Sequence, residues 1–199
     1  MSDFAQFNLN EVLTKSLKNI NFKSPTPIQE KSIPLILQGN DILGSAQTGT
    51  GKTAAFCIPI LELLMKSSKG SVLIMIPTRE LAKQVLDVVD SLLGYKSPIN
   101  TATLIGGEPM GKQLSQLKKR PRIYVGTPGR INDHLQRGTL NLHDTKYLVL
   151  DETDRMLDMG FEVQINRILK FLPPKKQVLM FSATIPDNIS KLSSKYLND

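Results

Sequence analysis

The chain has one cysteine, Cys57, no tryptophan and only two histidines. A lone cysteine forms no internal disulfide, and without Cys or His neighbours it belongs to no metal site, so Cys57 is expected to be a buried small hydrophobe. The 7 Phe and 4 Tyr are scattered, which excludes a ladder of base-stacking side chains. No repeat or low-complexity tract is visible. No uncharged apolar run approaches the roughly 18 residues of a membrane span, and MSDFAQFNLN has neither the basic start nor the apolar centre of a secretory leader. No membrane association and a cytoplasmic, or else nuclear, setting are therefore expected. What the sequence has in excess is positive charge: 25 Lys and Arg against 18 Asp and Glu, a formal net charge of +7. That balance favours a polyanionic partner, and the scarcity of aromatics favours one gripped by its backbone. The basic run at 118–122 is either an anchoring patch or, the preferred reading, a solvated loop. A chain of 199 residues is long enough to bury a full core, and one domain over 1–199 accounts for it.

Apolar residues Leu9, Val12, Leu13, Leu17 and Ile20 recur at helical spacing, with Asn8 or Asn10 placed to cap the helix. After the stiff SPTPIQ stretch a second helix is expected over 28–37, ending at Gly39. From Asp41 onward short apolar runs alternate with helical stretches: ILGSA, then a helix over 52–65; VLIMI, then a helix over 79–93; ATLI, then a short helix near Lys112; RIYVG, then a helix from Pro128; YLVLD, then two helical pieces; QVLMFSA, then a helix from Pro186. Strands apolar on both faces and separated by helices predict an α/β fold, an open and mostly parallel sheet covered by helices on both faces. Ligands of such sheets bind at the carboxyl ends of the strands.

The chemistry concentrates at those ends. Residues 46–53 read AQTGTGKT. Gly49 and Gly51 accept backbone angles that let successive N–H groups converge on an anion, the following helix aims its positive end there, Lys52 adds a point charge and Thr53 a hydroxyl for magnesium. Ala46 stands where the first glycine of such a loop usually lies. The alternative is a glycine-rich turn that merely caps a helix. The run YLVL delivers Asp151, Glu152, Thr153 and Asp154. Beside a phosphate loop, Asp151 can hold magnesium, directly or through water, and Glu152 can orient and deprotonate an attacking water. Without such a loop, the same acids would only open a helix.

Other clusters have two readings each. Gln29, in the first turn of its helix, is either a solvated residue or an amide offering the donor and acceptor that read N6 and N7 of adenine. Thr78 before Arg79, and Thr127 before Pro128, Gly129 and Arg130, are helix caps or sites on a phosphate backbone, with Gly106 and Gly107 between them. Ser182 and Thr184 can hydrogen-bond Asp154. His134 and His143 have no assignable role.

The order of these clusters resembles the DEAD-box family of ATP-dependent RNA helicases. PTPIQ resembles the Q motif, AQTGTGKT motif I, PTRELA motif Ia, TPGR motif Ib, DETD motif II and SAT motif III, over nearly the whole chain. The resemblance implies a first RecA-like domain, with the Q-motif region at 4–29, that binds ATP and Mg2+. It implies Phe4 stacking on the base, Gln29 reading it, and residues Ala46, Gln47, Thr48, Gly49, Thr50, Gly51, Lys52 and Thr53 holding the phosphates. Lys52, Asp151 and Glu152 are then the catalytic groups, with magnesium at Thr53 and Asp151; Asp154, Ser182 and Thr184 couple the site to movement. Thr78, Arg79, Gly106, Gly107, Thr127, Gly129 and Arg130 are implied to lie along an RNA backbone.

Two positions depart from the family pattern. Thr153 replaces the alanine that names the family, and Asn21 replaces a glycine; both are expected to be tolerated, asparagine because it accepts left-handed backbone angles. The family's second RecA-like domain, with its HRxGR-type arginines, has no counterpart before Asp199. The chain is therefore expected to be half of an enzyme, weakly active or inactive by itself, with room for protein cofactors. An ATP-gated RNA clamp without turnover is one rival reading. A GTPase or small-molecule kinase is another, and the guanine-reading NKxD it would need is absent.

Overall fold

The computed structural model describes residues 3–47, 49–94 and 97–197. Among them, strands β1 (Ile42–Ser45), β2 (Ser71–Met75), β3 (Thr101–Leu104), β4 (Ile123–Gly126), β5 (Thr145–Leu150) and β6 (Gln177–Ser182) form one sheet. All pairings are parallel, in the order β1-β6-β5-β2-β4-β3. A 3-10 turn at Phe4–Phe7 precedes helices α1 (Glu11–Asn19) and α2 (Pro27–Leu37). The strands are then linked or followed by α3 (Lys52–Lys66), α4 (Arg79–Leu93), α5 (Met110–Lys118), α6 (Pro128–Gln136), α7 (Thr153–Asp158), α8 (Glu162–Leu169) and α9 (Asp187–Tyr196).

Alternation along each strand divides the apolar residues between two cores. Val72 and Ile74 of β2, with Leu179 and Phe181 of β6, join the core under α1–α4. Leu73 and Met75, with Val178 and Met180, join the one under α6–α9. Every residue of β2 is buried, which is why it reads as an unbroken apolar run.

Local signals set the helix starts. The Asn10 side chain accepts from Leu13 N at 3.0 Å, capping α1. The same residue gives its backbone and side-chain N–H groups to Glu62 Oε2, at 2.8 and 2.6 Å. Glu62 is fully buried in α3 and meets Lys66 at 2.9 Å, so one carboxylate pins the amino-terminal helix to the helix that carries the phosphate loop. Asn21 adopts φ +58°, the left-handed angle expected of it. Cys57 is buried, and burial raises its thiol pKa. The basic run divides: Lys118, Lys119 and Arg120 are exposed, whereas Arg122 donates to the carbonyls of Gly70, Leu64 and Lys69 at 2.8, 3.0 and 3.3 Å. That arginine is a structural clamp rather than part of a solvated loop.

Candidate nucleotide and nucleic-acid site

Sheet order sorts the clusters. At the carboxyl ends of β1, β6 and β5 lie the phosphate loop, Ser182 to Thr184, and Asp151 to Asp154; at the ends of β2, β4 and β3 lie Thr78–Arg79, Thr127–Arg130 and Gly106–Gly107. Neighbours in space are thus far apart in sequence, and the two groups meet where β5, which leads into Asp151, pairs with β2.

In the first group, Gly49, Gly51, Lys52, Thr53, Asp151 and Glu152 line a pocket of about 320 Å³ together with Leu81, Gln84 and Val85. Gly51 is the cap of α3 at φ +89°, and Gly49 has φ +81°. Ala46 N donates to Ser182 O at 3.1 Å, and Thr50 Oγ1 to the exposed Gln47's carbonyl at 2.7 Å. Thr48 lies outside the described residues. Lys52 is only 5% exposed and its ammonium has no hydrogen-bond partner among the described residues. Asp151 Oδ1 stands 3.8 Å away, an ion pair too long for a hydrogen bond. Burial pushes the Asp151 carboxyl up to about 6 against the opposing pull of Lys52. The pocket therefore pairs a buried ammonium that makes no hydrogen bond among the described residues with a carboxylate whose ionisation burial disfavours.

Gln29 is 2% exposed, not solvated. Its Oε1 accepts from Thr26 N and its Nε2 donates to Gly51 O, both at 3.0 Å. These bonds fix which way the amide faces, and they leave one acceptor site and one N–H unused, the pair an adenine edge needs. Phe4 is 5% exposed and packs against Phe7 and Phe22, with ring centroids 6.0 and 6.1 Å apart.

Glu152 caps α7 at φ 50°, ψ 50°, a left-handed angle that costs a non-glycine residue about 1–2 kcal/mol. Its Oε2 meets Arg155 Nη1 at 3.2 Å. Asp154 Oδ2 accepts from Ala183 N at 3.2 Å and from both Thr184 N and Thr184 Oγ1 at 3.0 Å, while Asp154 N donates to Ser182 Oγ at 3.3 Å. Burial opposes ionisation of Asp154, but the Thr184, Arg155 and Ser182 hydrogen bonds outweigh it and hold its pKa below the ordinary value.

In the second group, Thr78 caps α4 by accepting from Leu81 N at 3.3 Å. Thr127 is the N-cap of α6 with Pro128 following it, as its capping reading has it, although its hydroxyl makes no side-chain cap bond, and Gly129 beside it is exposed. Arg79 Nη1 reaches Gly106 O at 3.5 Å and Arg130 Nη1 reaches Glu108 O at 3.2 Å. Gly107 has φ +75°, and a Cβ there would collide with the Arg79 guanidinium. The glycine pair and both arginines therefore form one assembly.

The profile of the DEAD/DEAH box helicase family matches residues 26–192. The chain belongs to that family. It is 47% identical over its whole length to "ATP-dependent RNA helicase CshA" of Listeria monocytogenes, of which it spans 38%. It is 44% identical over its whole length to "DEAD-box ATP-dependent RNA helicase CshA" of Geobacillus kaustophilus, of which it spans 43%. A solved DEAD box protein from the hyperthermophile Methanococcus jannaschii superposes on the whole chain with a TM-score of 0.94 at 44% identity, and the chain covers 55% of it. The chain thus spans about two fifths of these curated relatives' length.

Two features of this DEAD/DEAH box chain escaped the sequence. Thr153, where alanine names the family, is fully buried and donates to Leu150 O at 3.2 Å and Phe181 O at 3.1 Å, stitching β5 to β6 beneath the acidic cluster. His134 is also fully buried, its ring between Thr139 Oγ1 at 2.8 Å and Gln113 Oε1 at 3.0 Å. Its position between Ile131 and Leu135 on the apolar face of α6 was the available signal, because a buried imidazole needs partners.

Proposed function

We propose that the chain is the ATP-binding domain of an RNA helicase: it binds ATP with magnesium at the β1-β6-β5 end and an RNA strand, by its backbone, at the β2-β4-β3 end. The observation that carries this is the buried Lys52 ammonium, which has no hydrogen-bond partner among the described residues and lines a pocket it shares with Asp151 and Glu152. A phosphate chain supplies the anion that Lys52 needs, and a divalent cation supplies the charge that favours ionised Asp151. Residues 46–53 would hold the phosphates, with the Thr53 hydroxyl and Asp151 serving magnesium, directly or through water. Magnesium, when bound, neutralises phosphate oxygens as charge develops on them.

The chain's own residues divide the remaining work. Gln29 presents its spare acceptor and donor to adenine N6 and N7, and Phe4 supports the base. Glu152 orients and deprotonates the attacking water. Asp154 passes a change at the nucleotide to Ser182 and Thr184. On the other side, Thr78, Arg79, Gly106, Gly107, Thr127, Gly129 and Arg130 follow one RNA backbone, which carries no base identity.

Turnover needs arginine donors from a second RecA-like domain. Such an arginine is worth about 10³–10⁵ in phosphoryl transfer, roughly 4–7 kcal/mol of barrier, so this chain alone holds ATP and hydrolyses it slowly. The two-domain enzyme would separate short duplexes or remodel RNA–protein complexes, with protein cofactors acting on it. The relatives' names as ATP-dependent RNA helicases support that reading. The lone buried thiol suits a reducing cytoplasm.

Amide chemical-shift mapping tests the division. Mg·ATP should shift Gly49, Gly51 and Thr53, and a uridine oligonucleotide should shift Gly106, Gly107 and Gly129. If both ligands moved the same set, the two-ended site would be refuted.

A further inference from the structure

The 105–108 loop, which carries Gly106 and Gly107, is held from three directions. Arg79 reaches Gly106 O and Arg130 reaches Glu108 O. From beneath, Gln113 Nε2 donates to Ile105 O at 2.9 Å and Glu108 O at 3.3 Å. Gln113 is fully buried, and both N–H groups of its amide are committed to the loop. Its Oε1 must therefore face the other way, where it accepts from His134 Nε2 at 3.0 Å. This arrangement assigns the tautomer. Neutral His134 carries its proton on Nε2, as the Gln113 oxygen requires; the Thr139 hydroxyl, 2.8 Å from Nδ1, also lies 3.1 Å from the His134 carbonyl and shares its one proton between these two acceptors. With the proton on Nδ1 instead, two lone pairs would face each other across a buried 3.0 Å gap.

We propose that His134 is a positioning residue: through Gln113 it fixes the backbone of the 105–108 loop, so that the loop, Arg79 and Arg130 present one continuous surface to a nucleic-acid backbone. This deepens, and rests on, the RNA reading of that end of the sheet. The chain of contacts runs from α6, whose first turn carries the exposed Gly129 and lacks a side-chain cap bond, through the imidazole to α5 and up into the loop. The histidine thereby keeps two separate phosphate contacts, the α6 turn and the glycine pair, in one register. A polyanion that must meet both is bound well only while that register holds. Among the described residues, none of the network's side chains lines the nucleotide pocket.

The test compares His134→Leu, His134→Gln and Gln113→Met with the wild-type 199-residue chain, measuring binding of a fluorescent uridine decamer, Mg·ATP affinity, and amide hydrogen exchange at Gly106 and Gly107. Glutamine can return an N–H to the place of Nε2; leucine cannot. His134→Leu and Gln113→Met should weaken decamer binding by about tenfold, the loss of one or two buried hydrogen bonds, and speed exchange at both glycines by a similar factor. His134→Gln should recover most of each, and Mg·ATP affinity should stay within about twofold throughout. Equal decamer binding by all four proteins overturns the proposal, as does a parallel loss of decamer and Mg·ATP affinity, which marks a general loss of structure. If the wild-type chain binds no decamer, the RNA reading fails on its own. Exchange at the glycines then decides the positioning claim: faster in His134→Leu but not in His134→Gln upholds it, and no difference from wild type rejects it.

Discussion

The carboxylate of Asp154 accepts both the backbone N–H and the hydroxyl of Thr184 at 3.0 Å, so the segment after β5 is tied to the segment after β6 by one oxygen, Oδ2. The pKa of Asp154 is lowered, so its stabilising effect is present above the ordinary carboxylate range and is lost as pH falls through the lowered value. Asp154→Asn should therefore be less stable than wild type at neutral pH, with the gap closing in acid. Urea denaturation across pH 2.5–7, an interval set by the usual carboxylate range of about 3.9, measures this; a constant gap would deny the ionic contribution.

Thr153→Ala should cost about 1 kcal/mol, because the buried carbonyls of Leu150 and Phe181 lose a shared donor. Restoring the family's own alanine would then be destabilising in this chain. Chemical denaturation gives the sign directly.

Glu152→Gly should raise stability by up to about 1 kcal/mol, since glycine accepts φ 50° without strain and the lost ion pair involves a half-exposed Arg155. The same change should abolish the slow hydrolysis expected of the chain. A thermal melt and a phosphate-release assay on one preparation test both halves.

Burial, then the charge of Arg130, lowers the pKa of His134. The unfolded imidazole takes up its proton first as pH falls, so stability is complete above the unfolded value of about 6.5 and declines below it. His134→Gln should remove that part of the decline. Denaturation midpoints of the two proteins should converge toward pH 5 if wild type is the more stable above pH 7, and parallel curves would contradict the assignment.

Much of this was legible because local chemistry writes locally. Asn10 and Thr78 cap the helices their side chains announce, and VLIM is a continuous apolar run because both faces of β2 are covered. Strand order was not legible, since the pairing of β1 with β6 joins residues about 137 positions apart, such as Ile42 and Leu179, and no local signal encodes it. For the same reason Thr153 reads as a small substitution until Phe181 O appears above it. Gln29 showed its type but not its burial, which depends on the Gly51 carbonyl 22 residues away. Thr127 showed its place as the cap of α6, with Pro128 after it, but not that its hydroxyl makes no cap bond.

The most direct test of the central claim is Mg·ATP affinity of the 199-residue chain with and without the Lys52 ammonium. If that buried charge waits for the phosphates, wild type binds Mg·ATP, and Lys52→Met, which matches the apolar stem and removes the ammonium, loses at least about tenfold in affinity, as expected when a charge-assisted bond to a buried partner is removed. Equal affinity of the two proteins, measured by calorimetry at one salt concentration, would contradict the account.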